Sequence, residues 1–156
     1  MERFAPTRLD APALDAAAEL HRAAFAPLGE RVWTRQDLAE LLASPGVHGL
    51  LLQLDGRRVG FALCRSAADE GELLTIAVDP SHRRRGAGRA LLKAVIERLQ
   101  SSGARKLYLE VGMDNPAARS LYEQAGFQAV GKRTGYYQRG ERPNADAVVM
   151  CLTLGG

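Results

Sequence analysis

Cysteine, histidine and aromatic residues are all scarce in this chain, and long hydrophobic runs are absent. Only two cysteines occur, Cys64 and Cys151, with no Cys-x-x-Cys pair and no Cys/His cluster, which excludes a disulfide framework and a zinc module. Their neighbours, Ala62-Leu63 and Val149-Met150, read as strands, so both are expected to be reduced, inert core thiols. The three histidines, His21, His48 and His82, are scattered without ligand spacing, and no metal is expected. Aromatics are 6% of the chain, too few for the stacking platforms of a nucleic-acid binder. No apolar run approaches the length that crosses a bilayer, and Met1 to Asp10 mixes two Arg with two acids around no apolar core. Membrane insertion and a signal peptide are thereby excluded, and a cytoplasmic protein is the expectation.

What is present is enough for one domain spanning residues 1–156, 46% apolar and 25% charged. A chain this long buries roughly 70% of its unfolded surface without help from metal or crosslink. The charge is uneven. Lys and Arg number 21 and Asp and Glu 18, but five cations, Arg83, Arg84, Arg85, Arg89 and Lys93, fall in an acid-free stretch. Without them the remainder is −2, sixteen cations against eighteen acids. The basicity is therefore one local feature, which favours a compact anionic ligand over a polynucleotide.

Periodicity and punctuation give the order β-α-α-β-β-β-α-β-α-β-β. A first helix runs from a cap at Asp10 to Phe25, with Leu14, Ala17, Leu20 and Ala24 at helical spacing, and a second follows Thr34-x-x-Asp37. Val47 to Leu54 and Arg58 to Arg65 flank Asp55-Gly56, a hairpin turn, and a third strand spans Leu73 to Val78. An amphipathic helix carries Leu91, Leu92, Val95, Ile96 and Leu99, followed by a buried strand from Lys106 to Val111. The next helix, Pro116 to Ala125, has Asn115 as cap, Pro at its first position and Gly126 past its end. Strands at about Phe127–Tyr137 and Ala145–Leu154 complete a mixed α/β (α+β) sheet with helices on both faces.

One segment carries the chemistry. Between the strand ending at Val78 and the helix that follows lies Arg83-Arg84-Arg85-Gly86-Ala87-Gly88-Arg89. Gly86 and Gly88 permit positive φ and an unobstructed main chain, the helix start adds unpaired N–H groups, and the arginines supply planar donors. Such a turn cradles a pyrophosphate, or is simply a solvated cap. A P-loop needs Gly-Lys-Ser/Thr at the helix start, and a dinucleotide fingerprint needs Gly or Ala where Leu91 stands; both fail.

Arg83-x-x-Gly86-x-Gly88 resembles the acetyl-CoA signature of the GCN5-related N-acetyltransferases (GNAT). The likeness extends through Leu73 to Pro80, and resumes at Asn115-Pro116-Ala117-Ala118-Arg119-Ser120-Leu121-Tyr122. Within the family, Ile76-Ala77-Val78-Asp79-Pro80, Leu109-Glu110-Val111 and Gly135-Tyr136-Tyr137 are most similar to the RimI-type ribosomal-protein-alanine N-acetyltransferases. Two positions depart from that pattern. Gly112 stands where Arg is common, and an early Pro-Trp pair is split into Pro27 and Trp33. The resemblance implies a GNAT fold, a mostly antiparallel sheet of about seven strands with four helices, and acetyl-CoA as co-substrate. It places the cofactor on Ile76, Ala77 and Val78, on Arg83, Arg84, Arg85, Gly86, Ala87, Gly88 and Arg89, and on Asn115 and Ala118. The implied acceptor is a protein N-terminus, the alanine α-amine of a ribosomal protein; a small-molecule amine is the alternative, and a non-catalytic CoA-binding module another. No nucleic-acid or membrane partner is expected, and the protein is expected to be a monomer or weak dimer.

Amine acetylation needs a base and an acid. An α-amine, with pKa near ~7.7–8.0, is mostly protonated at neutral pH. Glu110 is the candidate base, because alternation places it opposite Leu107, Leu109 and Val111; a Glu paired with a nearby Arg is the plainer reading. A carboxylate near ~4.3 is a feeble base, so burial should raise it or a water should relay the proton. Tyr122 is the candidate acid for the leaving thiolate, or else a core tyrosine. It shares a helical stripe with Asn115 and Ala118. Tyr136 and Tyr137 line the acceptor groove by resemblance, or pack as strand aromatics. Asp69, Glu70 and Glu72 read better as a solvated turn than as a basic-peptide contact.

Overall fold

A computed structural model of the chain describes residues 4–155. Seven strands form one sheet in the order β1-β2-β3-β4-β5-β7-β6, with β1 Phe4–Arg8, β2 Val47–Leu54, β3 Arg57–Ala67, β4 Glu70–Val78, β5 Lys106–Gly112, β6 Gln128–Arg139 and β7 Arg142–Thr153. The first strand is an edge on β2, with Phe4 opposite Leu54 and Arg8 opposite Leu50. Asp55 and Gly56 both take positive φ, as the tight primed hairpin turn between β2 and β3 requires.

Four helices cover the sheet: α1 Leu14–Phe25, α2 Arg35–Ala43, α3 Ala87–Ser101 and α4 Pro116–Gln124. The apolar stripes of α1 and α2 bury Leu14, Ala17, Leu20 and Leu38 on one face, against Leu51, Phe61 and Leu63. On the other face Leu91, Leu92, Val95 and Leu99 of α3 pack on Leu52, Val59, Cys64 and Leu107, with Tyr122 of α4 in the same core. The capping box of α2 forms as its sequence implies, Thr34 N–H donating to Asp37 and Asp37 N–H to Thr34. Asp10 makes no such bond; a 3-10 turn, Ala11–Ala13, precedes α1 and its Pro12 takes over the start. Cys64 is fully buried and pushed up to about 11 by desolvation, whereas Cys151 is only half-buried on β7. No described helix is long and apolar enough to cross a membrane.

All neighbouring strands are antiparallel except β4 and β5. Those two are parallel, and they pair over only three positions, Glu70↔Lys106, Gly71↔Leu107 and Glu72↔Tyr108. Directly beyond, the β3–β4 register jumps from Cys64↔Leu73 to Leu63↔Thr75, so Leu74 is an extra residue in β4. The bulge bends β4 and exchanges its faces: Leu73 lies in the α3 core, while Leu74 and Ala77 pack on the α1 side. Past Leu73 the β5-facing edge of β4 has no strand partner among the described residues. A wedge opens there in the middle of the sheet.

Candidate active site

The wedge is a cleft of about 760 Å³, walled by Leu73, Thr75 and Ile76 of β4, by Leu109, Glu110 and Val111 of β5, and by Asn115, Ala118 and Tyr122 of α4. The helix α1, the segment between α1 and α2 and the end of β6 close its far side with His21, Glu30, Trp33, Tyr136 and Tyr137. Of the residues singled out from sequence, Ile76, Glu110, Asn115, Ala118, Tyr122, Tyr136 and Tyr137 thus come together in one place. Ala77 and Val78 do not line it with their side chains, Ala77 facing the α1 core and Val78 the α3 core. Their main chain belongs to the unpartnered β4 edge, which can hydrogen-bond an extended ligand as a further strand would.

Tyr122 is buried, 5% exposed, and its ring meets Phe127 edge-on at 5.7 Å. Burial alone drives its phenol well above the ordinary value, so it remains protonated at neutral pH, the state a proton donor needs. Asn115 caps α4, its Oδ1 accepting the Ala118 N–H at 3.2 Å, and this fixes the stripe Asn115-Ala118-Tyr122 against the cleft. The Asn side chain is thereby occupied by its own helix.

Glu110 is on the face of β5 opposite Leu109, but burial does not isolate it. Its side chain is 24% exposed and Oε1 lies 3.0 Å from Nε of the more exposed Arg133. The plainer expectation, a Glu paired with an Arg, is what the structure contains, and the partner comes from β6. Relay through water, the other route open to such a base, suits a carboxylate that also borders a second cavity of about 310 Å³ with Glu72 and Arg65. Those two form their own exposed pair at 3.0 Å.

The ladder between β6 and β7 is interrupted between Arg133 and Tyr137. Gly135, with φ +61°, donates its N–H to Asp146 at 2.7 Å, and Asn144 donates to the Gly135 carbonyl. The displaced segment stacks Arg133 over the Tyr136 ring at 5.1 Å and sets Tyr136 edge-on to Tyr137. Tyr136 is exposed and Tyr137 half-buried, and desolvation raises the Tyr137 phenol, followed in effect by the charges of Glu30 and Glu110.

Beyond the end of β4, Asp79 accepts hydrogen bonds from the Ser81 N–H and hydroxyl, which holds its carboxyl below the usual range and shapes a 3-10 turn, Pro80–His82. Arg83, Arg84, Arg85 and Arg89 follow, all exposed, with Arg84 at φ +65° and Gly86 at φ +88°. Gly86 is the N-cap of α3 and offers no side chain, so the first-turn N–H groups of Ala87, Gly88 and Arg89 keep their donors open. The helices α2 and α4, by contrast, are both capped by side chains. An uncapped fifteen-residue helix, ringed by arginines at the end of an unpartnered strand edge, fits a pyrophosphate followed by an extended arm. Gly88 does not take the positive φ that its spacing permitted, and it has a second role. It is helical, and a Cβ there would stand 3.2 Å from Leu121, so it lets α4 approach α3. Arg89 also reaches α4, donating to Gln124 at 3.1 Å.

Sequence reading missed four participants, His21, Arg139, Glu30 and Asp114. His21 is buried; its Nδ1 accepts the Trp33 N–H at 3.1 Å, its ring stacks on Trp33 at 4.9 Å, and desolvation lowers it to about 4. Arg139 is buried between Glu30 and Asp114, and with them joins β6 to two loops. No local pattern marks these residues, because their partners lie 12 to 109 positions away. Among the described residues no group of three His, Cys, Asp or Glu gathers as metal ligands do.

The sequence model of the acetyltransferase (GNAT) family matches residues 14–127. Curated relatives include the [ribosomal protein bS18]-alanine N-acetyltransferase of Escherichia coli K12, 37% identical over 124 residues, covering 78% of this chain and 81% of that one. The N-alpha-acetyltransferase RimI of Mycobacterium tuberculosis is 39% identical over 136 residues, 85% of this chain and 81% of that protein. Among solved structures, the ribosomal-protein-S18-alanine N-acetyltransferase of Escherichia coli superposes with a TM-score of 0.89 at 32% identity, over 99% of this chain and 96% of that one. An acetyltransferase of Salmonella typhimurium solved with acetyl-CoA shares the fold, with a TM-score of 0.80 at 21% identity over 97% of this chain and 94% of that one.

Proposed function

The chain belongs to the acetyltransferase (GNAT) family, and from that premise we propose that this N-acetyltransferase carries the acetyl group of acetyl-CoA to the α-amine of an N-terminal alanine on a ribosomal protein. The observation that carries the chemistry is the wedge between β4 and β5, a cleft that Glu110 and Tyr122 both line. The relatives' shared specificity, at 37–41% identity over most of their length, supports the acceptor.

Acetyl-CoA supplies an acyl group activated as a thioester. The uncapped N-terminus of α3, with Arg83, Arg84, Arg85 and Arg89, holds the phosphates, and Gly86 keeps that approach clear. The free edge of β4 from Ile76 to Val78 hydrogen-bonds the pantetheine arm, and an N–H of that edge polarises the thioester carbonyl. Small Ala118 leaves room beside it. Glu110 takes the proton from the acceptor nitrogen through water, the nitrogen lone pair forms the C–N bond, and the C–S bond breaks. Tyr122 gives its proton to the departing sulfur. Direct attack in a ternary complex needs no acyl-enzyme, and Cys64 is buried and far above neutrality, unsuited to be a nucleophile.

CoA release measured with peptides bearing N-terminal Ala, against a panel of free small amines, tests the assignment. Turnover is expected with the peptides; activity confined to the free amines overturns the peptide acceptor, and release with neither overturns the transferase reading. Mass spectrometry of ribosomal proteins from cells with and without the gene then identifies the acceptor by a lost N-terminal acetyl group.

A further inference from the structure

The buried cluster at the end of β6 has a second face. The Arg139 side chain is 2% exposed and is satisfied by two carboxylates from distant parts of the chain. Its Nε and Nη2 donate to Asp114 at 2.7 and 2.9 Å, and its Nη1 donates to Glu30 Oε1 at 2.7 Å. The surroundings are cut to this shape. A Cβ on Gly29 would come within 2.7 Å of the Arg139 main chain, and one on Gly112 within 2.6 Å of Arg139 Nη2. Charge-assisted bonds of this length from a planar fork fix the carboxylate that accepts them.

Arg139 uses one oxygen of Glu30 and leaves the other. Glu30 lines the cleft with a fifth of its side chain exposed, and its charge acts on the Tyr137 hydroxyl together with that of Glu110. Two carboxylates thus border the same aromatic wall. Glu110 is tied to an exposed arginine, a pair that solvent weakens, while Glu30 is tied to a buried one that holds it in place. The segment that supplies Glu30 is the one separating Pro27 from Trp33, and Trp33 is pinned from below by His21.

An acceptor α-amine meets the enzyme mostly as its ammonium at neutral pH. A cation entering a half-buried cleft needs an anion already in position, and the proton it later loses needs a different group to receive it. We propose that Glu30, held by the positioning residue Arg139, is the anchor that receives the acceptor's ammonium, leaving Glu110 to take the proton whose loss frees the lone pair; the second proton, shed by the nitrogen once the C–N bond has formed, replaces the one Tyr122 gives to the sulfur. This rests on the reading of the cleft as the site of amine acetylation.

Glu30→Gln keeps an oxygen for Arg139 and removes the charge. Steady-state kinetics with an N-terminal Ala peptide should show the acceptor KM raised about tenfold, with kcat within twofold and the acetyl-CoA KM unchanged. Raising the salt should narrow the gap by weakening the unmodified enzyme. Arg139→Lys, which keeps the charge but not the fork, should raise the acceptor KM in the same direction. An acceptor KM unchanged in Glu30→Gln overturns the proposal. So does a loss of kcat and melting temperature with no rise in acceptor KM, which marks a purely structural cluster. If the unmodified enzyme acetylates no amine at all, the reading of the cleft fails instead, and the two failures are told apart.

Discussion

The two ends of the cleft are built in opposite ways. At the cofactor end the charges come from one continuous stretch, Arg83 to Arg89, are exposed, and surround a helix start with no side-chain cap. Arg83 and Arg84 make no ion pair among the described residues. At the acceptor end each charge meets an opposite one from elsewhere in the chain: Glu110 with Arg133, Glu30 and Asp114 with Arg139. One end leaves the first-turn N–H groups of α3 without a side-chain cap, as suits a ligand that brings many negative charges. The other is preassembled, its carboxylates held by arginines with one negative charge left over, as suits a ligand bearing a single positive charge that must also be oriented.

The sharpest test of a preassembled acceptor wall is its response to acid. His21 is neutral in the folded protein, with its value lowered from 6.5 to about 4, and it carries Trp33. Between those two values the unfolded chain takes a proton that the native state refuses. The stability contributed is therefore complete above about 6.5 and lost as pH falls towards 4, on the order of 3 kcal/mol. Urea midpoints across that range should fall steeply in the unmodified protein. His21→Gln should be less stable at pH 7 and lose less on acidification; parallel profiles would refute the buried neutral imidazole.

At the junction of the two ends the effects are catalytic. Glu110→Gln and Tyr122→Phe should each lower kcat on the order of 10²-fold while the KM for acetyl-CoA barely moves. Tyr122→Phe should spare the fold, since its ring contact with Phe127 survives. Stopped turnover with intact binding locates the loss in proton transfer; unchanged kcat in both variants removes these assignments.

The same contrast decides what could be read from sequence. The entries of α3 and α4 depend on neighbours in the chain, so the positive φ of Gly86, the exposed arginines and the Asn115 cap were all legible there. The order of elements along the chain and the helices on both faces were legible because periodicity is local too. The bulge at Leu74 was not: Leu73 to Val78 is apolar but for Thr75, and nothing in it marks where β4 parts from β5. The packing role of Gly88 was not legible because it depends on Leu121 of another helix. Cys151 was misplaced because α1 and α2 stop short of β7 on its face. The cluster of Glu30, Asp114 and Arg139 spans more than a hundred residues and leaves no trace in any window.

The smallest effect belongs to the cofactor end, where no single contact dominates. Arg84→Gln with Arg89→Gln should raise the KM for acetyl-CoA roughly tenfold and leave the acceptor KM unchanged. Each arginine is exposed, so each contributes modestly, and its share is screened once the Debye length drops below about 10 Å. The ratio between variant and unmodified enzyme should therefore shrink from low salt to high. Arg89 complicates the double variant slightly, because losing its bond to Gln124 loosens the contact between α3 and α4. A structural loss of that kind does not depend on salt in the same way, and it would appear in kcat and melting temperature. A salt-sensitive rise confined to the acetyl-CoA KM assigns the arginines to phosphate. An acetyl-CoA KM that does not move in the double variant would shift the anion site onto the uncapped N–H groups of α3, which no side-chain substitution removes.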